Sequence, residues 1–157
     1  MNYEELLIAA DEAGLTVKEK PLSLHDGRIK GTRIAIRQDI PTLARKADVL
    51  AEELGHYFTS VGEILDQSTS AARRQERQAR LWAYNNRVGL SGIVRGHQHH
   101  CQNLNDLAEF LDVSEEFLLE ALDCYREKYG SSVNWKNFTI FFEPSLAVME
   151  RLGRTEE

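Results

Sequence analysis

The chain has 157 residues, 42% of them apolar and 28% charged, with a formal net charge of −6. That is enough for one hydrophobic core, with two compact units as the upper limit, and it lacks the basic excess of a nucleic-acid binder. No apolar run approaches a membrane span, and the opening Met1-Asn2-Tyr3-Glu4-Glu5 is acidic where a secretory signal is basic, so the expected location is the cytoplasm.

Tyr3, Leu6, Leu7 and Ala10 mark an opening helix that Gly14 ends. Leu15 to Lys20 is a candidate strand, and His25-Asp26-Gly27 is a turn that makes His25 a loop residue. Thr32 to Gln38 alternates, with Ile34 and Ile36 on one face. It is either a plain structural strand or the edge with which an extended substrate pairs. Pro41 then opens a helix.

In that helix Leu43, Ala47, Leu50 and Leu54 recur at helical spacing opposite Glu52 and His56. Glu52 and His56 lie four apart, so their side chains meet above one face, with Glu53 flanking them. The run nearly spells His-Glu-x-x-His, in which two imidazoles hold a metal and the carboxylate takes a proton from the attacking water. Glu52 occupies the first histidine position. Arg45, Asp48, Glu52, His56 and Thr59 would also serve as the solvated face of an amphipathic helix.

A second helix follows, in which Ala72, Gln75, Glu76, Ala79, Trp82 and Ala83 form a narrow, mostly apolar stripe. A carboxylate on a buried stripe is costly unless a cation meets it, so Glu76 needs a partner, either a metal or an arginine. Arg73, Arg74, Arg77 and Arg80 flank the stripe and, with Arg37 and Arg87, form a local basic patch that reads as a solvated face.

Beyond Gly89 the pattern changes. His97-Gln98-His99-His100-Cys101 reads as a polar connection, although clustered histidines are also a source of replacement ligands. From Asn105 a helical pair follows, apolar at Leu107, Ala108 and Leu111, then Phe117, Leu118 and Leu122, joined at Asp112-Val113-Ser114. It resembles a helix-turn-helix, but its second helix offers Glu115, Glu116, Glu120 and Asp123 where DNA binding requires basic groups, so DNA is not the expected partner. The segment Asn134 to Pro144 is strongly apolar and reads as a late strand or a segment laid on the core. Cys101 and Cys124 lack a Cys-x-x-Cys spacing and are expected as free thiols.

The stretch Ala51-Glu52-Glu53-Leu54-Gly55-His56-Tyr57-Phe58, followed by Glu76-Arg77-Gln78-Ala79-Arg80-Leu81-Trp82-Ala83, resembles the ImmA/IrrE family of metallo-endopeptidases. There the first motif reads His-Glu-Leu-Gly-His and the second Glu-x-x-Ala-x-x-Phe/Trp-Ala. Ile34-Ala35-Ile36 matches the segment before the active helix, and Asn105 to Tyr129 resembles the family's small helical C-terminal part. The resemblance implies a protease of a prophage or mobile element that cuts a repressor protein, with a zinc ion held by two histidines and the downstream glutamate. Carried over, His56 and Glu76 are metal ligands, Glu53 is the general base, and Glu52 stands in for the first histidine, as in a phage-type Glu-Glu-Leu-Gly-His variant.

A site of Glu52, His56 and Glu76 brings two negative charges to the ion where two imidazoles and one carboxylate bring one. The ion becomes a weaker Lewis acid, and manganese competes better with zinc. The expected fold is α+β, a zincin-like metallopeptidase core with a small antiparallel sheet over residues 1–90 and a packed helical module over 91–157. The expected function is metal-dependent cleavage of a phage or mobile-element repressor. The alternative is a catalytically weak or inactive protein of the same fold that docks a repressor or host factor.

Overall fold

The computed structural model describes residues 1–60 and 70–153. The last four residues of the expected second module lie outside these. The described chain runs as one helix, three strands, five helices and three strands, and this segregation of six helices from two three-stranded sheets makes the fold α+β.

Helix α1 (Tyr3–Glu12) is capped by Asn2, whose side chain accepts from Glu5 N at 2.8 Å, and buries Leu6 and Ala10. Strands β1 (Thr16–Lys20), β2 (Gly27–Lys30) and β3 (Arg33–Arg37) form the first sheet in the order β1-β3-β2, with β1 parallel and β2 antiparallel to β3. β3 is therefore the central strand, paired on both sides, and cannot be the substrate edge expected of Thr32 to Gln38. Ile34 and Ile36 are buried, as an inner strand requires. The free edge nearest the next helix belongs to β2, whose four residues the sequence pattern left in a connection.

Helix α2 (Leu43–Thr59) starts two residues later than Pro41 suggested: Thr42 is its cap, accepting from Arg45 N at 3.2 Å. Ala47, Leu50 and Leu54 are fully buried, whereas Leu43 is 64% exposed because the first turn projects beyond the core. Helix α3 (Ser70–Arg87) packs along α2 and buries Ala79, Ala83, Tyr84 and Arg87.

Arg87 is a departure from the expected basic face. Its side chain has no solvent exposure, and its Nε and Nη2 donate to Asp48 Oδ1 at 3.1 and 2.9 Å. The other donors meet the carbonyls of Met1, Ala44 and Asp112, while Asp48 Oδ2 accepts from Ser114 N at 3.1 Å. Asp48, expected on a solvated face, is thus buried with its charge met. The pair ties α2 and α3 to the start of α6.

His97 and Gln98, read as the start of a polar connection, instead form the end of helix α4 (Gly89–Gln98). Its glycines lower helix propensity in isolation but let α5 approach: a Cβ at Gly96 would lie 2.3 Å from Leu107 Cδ1. The helix ends through His99, and His100 takes a left-handed φ of 66°. α4 spans the expected division at residue 90. Helices α5 (Leu104–Leu111) and α6 (Glu115–Tyr129) are capped by Asn103 and Ser114. The apolar tail is a meander, β4 (Ser132–Trp135), β5 (Phe138–Phe141) and β6 (Ala147–Glu150), which forms the second sheet. Ile34, Leu50, Ile93, Leu118 and Ile140 belong to one buried cluster, so elements from both halves share a core. No helix among the described residues is long and apolar enough to cross a membrane.

Candidate active site

Gly55 sets the geometry of the site. A Cβ there would lie 2.2 Å from the carbonyl oxygen of Ala79 and 3.0 Å from its carbon, so α2 and α3 touch backbone to backbone at this point. That contact brings the next residue on α2, His56, to the first half of α3, where its Nε2 lies 3.6 Å from Glu76 Oε2. One turn beyond, Phe58 packs on Trp82 with ring centroids 5.2 Å apart. Small residues at 55 and 79 and aromatic residues at 58 and 82 thus have one purpose, the close crossing of two helices.

Glu76 does not lie on a buried stripe. Its side chain is 47% exposed, because the buried face of α3 runs through Ala79 and Ala83 and leaves Glu76 at the margin facing His56. Arg80, one turn on, places Nε 3.4 Å from Glu76 Oε1. The arginine partner is therefore present, and it engages the carboxylate oxygen that does not face His56.

Glu53 lies beside this pair. Burial pushes its carboxyl above the usual carboxylate range; the nearby charge of His56 pulls it back, Glu76 pushes it up and His25 pulls it down. His25 thus belongs to the electrostatic surroundings of Glu53, which its turn sequence alone did not signal. β2 approaches α2 closely at this point, since a Cβ on Gly27 would lie 2.6 Å from Val49 Cγ1 and 3.1 Å from Glu53 Oε1.

Glu52 has different neighbours. It lines a small cavity of about 140 Å³ with Asp48, Phe117 and Glu120. Burial above all raises its pKa to about 7; Glu120, Glu53 and Asp48 add to the rise, and Arg80 opposes it. Glu120, on α6, accepts from Tyr84 Oη at 3.4 Å and also lines a cleft of about 470 Å³ that contains Glu76 and Arg80. It stands at the junction of the two, a position no sequence motif signalled.

The sign of the Glu52 shift sets a pH dependence. A carboxyl that holds its proton more tightly when folded makes the metal-free protein lose stability as pH rises from about 4.5 to about 7. Above pH 7 Glu52→Gln is therefore expected to be more stable than the parent, by about 2 kcal/mol after allowance for partial exposure. Below pH 4.5 the two converge. Thermal midpoints of both proteins in chelator across pH 4 to 9 test this; parallel curves would show that Glu52 is not held in its acid form.

Zinc takes imidazole nitrogen and carboxylate oxygen at about 2.0–2.2 Å, which puts two donors of a tetrahedral set about 3.4 Å apart. The 3.6 Å between His56 Nε2 and Glu76 Oε2 is close to that spacing, so the pair fits one divalent ion. Among the described residues no group of three or more His, Cys, Asp and Glu comes together to hold a metal. His97 and Cys101 line a separate cavity with Leu104, Leu107 and Phe142, and His99 stacks on Phe110.

Comparison with curated proteins and with solved structures yields no match. The model of the IrrE N-terminal-like domain, Peptidase_M78, matches residues 10–123, a span that takes in the first sheet, both motif helices and α6 as far as Asp123. The chain therefore belongs to this metallopeptidase family, the one that the two helical motifs resemble.

Proposed function

We propose that the protein is a zincin-like, metal-dependent endopeptidase that cleaves a protein, specifically a repressor of the phage or mobile element that encodes it. His56 and Glu76 hold zinc or manganese, and Glu52, one turn before His56 on α2, completes the ligand set. The observation that carries the reading is the His56–Glu76 approach with Glu53 beside it, within a family match that spans both helices. When bound, the ion supplies Lewis-acid polarisation of the scissile carbonyl.

The chain's own residues supply the remainder. Glu53, its carboxyl raised by burial, accepts the proton of the water whose oxygen bonds to the carbonyl carbon, and passes a proton to the amine nitrogen as the C–N bond breaks. A substrate strand has the free edge of β2 to pair with, where Gly27 meets Val49 and Glu53. The exposed face of α6, with Glu115, Glu116, Glu120 and Asp123, favours a protein partner over DNA.

A second reading is favoured by the lack of a closed three-donor group among the described residues: a protein of the same fold that docks a repressor or host factor without cutting it. One experiment separates the two. Elemental analysis of chelator-free protein is expected to find about one zinc or manganese per chain, lost in His56→Ala and Glu76→Ala. Glu53→Gln is expected to keep the ion and lose at least 100-fold in cleavage of the repressor, within the usual range for a general base. Cleavage that survives Glu53→Gln would remove Glu53 from its role, and repressor binding without cleavage at any metal concentration would establish the docking protein.

A further inference from the structure

We infer that Arg80 is the positioning residue of this site, holding Glu76 so that one carboxylate oxygen is presented beside His56; this rests on the metal-site reading above. The two oxygens of Glu76 are divided between two partners. Oε1 lies 3.4 Å from Arg80 Nε, and Oε2 lies 3.6 Å from His56 Nε2. Glu76 is half exposed on the margin of α3, where a glutamate side chain has three torsions to order. Among the described residues Arg80 and His56 are its only ion-pair partners.

Arg80 also faces the carboxylates that set this chain apart. It shares the cleft between α3 and α6 with Glu76, Tyr84 and Glu120, and Glu120 in turn shares the neighbouring cavity with Glu52. A neutral imidazole at position 52 would add no charge, whereas Glu52 adds a negative one next to Glu120 and Asp48. The Arg80 guanidinium lines the cleft on the other side of Glu120 from that carboxylate. One cation thus stands beside the loosely held Glu76 and shares a cleft with Glu120, the neighbour of the extra carboxylate.

The sign of a single substitution decides the matter. Loss of an orienting partner to a metal-ligating carboxylate weakens metal binding by about 10–100-fold. Loss of a mere positive charge near a divalent ion would tighten it. Zinc affinity is measured on the full chain by competition with a chromophoric chelator, and the visible spectrum of the cobalt(II) form reports ligand geometry. Arg80→Gln is expected to bind zinc at least tenfold more weakly with a changed cobalt band, and Arg80→Lys to recover part of the loss. Arg73→Gln, which removes a charge from the same cleft, is expected to stay within about twofold of the parent.

With its side chain 59% exposed, Arg80 is not needed for folding, and thermal midpoints verify this. Parent protein that binds zinc while Arg80→Gln binds equally or more tightly overturns the role of Arg80 and leaves the peptidase reading intact. Parent protein that binds no zinc, manganese or cobalt overturns both.

Discussion

Arg87→Met is expected to lower the thermal midpoint by about 6–20 °C, the largest effect of any single change outside the apolar core. Removing one member of a buried ion pair leaves the other charge uncompensated at a cost of about 3–5 kcal/mol, and a chain of this size loses about 2–4 °C per kcal/mol. Asp48 would keep only the Ser114 amide as a partner, and the carbonyls of Met1, Ala44 and Asp112 would each lose a donor. Asp48→Leu combined with Arg87→Met is expected to recover part of the loss, because the isolated charge is gone while the three carbonyls stay unpaired. A midpoint unchanged in Arg87→Met would mean that solvent reaches the pair.

Gly55→Ala comes second, with an effect on both stability and the site. An alanine in a helix interior gains about 1 kcal/mol over glycine from propensity alone. Here the added methyl group meets a backbone carbonyl at 2.2 Å, which cannot yield as a side-chain end would. Overpacking costs about 3 kcal/mol at the upper end of its usual range, which leaves a net loss of about 2 kcal/mol and a midpoint lower by about 4–8 °C. The helices can relieve the contact only by moving apart, which separates His56 from Glu76. The expected result is a folded, less stable protein that retains less than a tenth of the parent's zinc on elemental analysis. A stabilised Gly55→Ala with full metal content would place α2 and α3 further apart than the structure has them.

Much of the fold was legible in local patterns. The apolar spacing of Leu6 and Ala10, the alternation of Ile34 and Ile36, and the stop at Gly14 all act within a few residues, so the chain announces them directly. Helix α4 was not legible because glycines at 89, 92 and 96 weaken helix propensity and leave gaps in the apolar spacing, and only the Leu107 side chain pressed against Gly96 shows why one of them is there. β2 was missed because a short edge strand with two polar exposed residues carries no pattern until β3 pairs with it. Arg87 and Asp48 read as surface charges because helical spacing places a residue on a face without saying what covers that face.

The sequence by itself determined the motif helices, the α+β class and the family, because these depend on residue types at short, regular spacing. It also set the chemistry available at each position, including a carboxylate where an imidazole is usual. Tertiary structure alone decided which groups meet. It paired His56 with Glu76 through the Gly55–Ala79 contact, buried the Arg87–Asp48 pair and made β3 an inner strand. It also gave Glu52 the company of Glu120, 68 residues away in the chain, whereas the Glu76–Arg80 pair follows from four-residue spacing on one helix. The physical reason is that charge and packing act through space, and a distance of a few ångströms carries no trace of the number of residues between its ends.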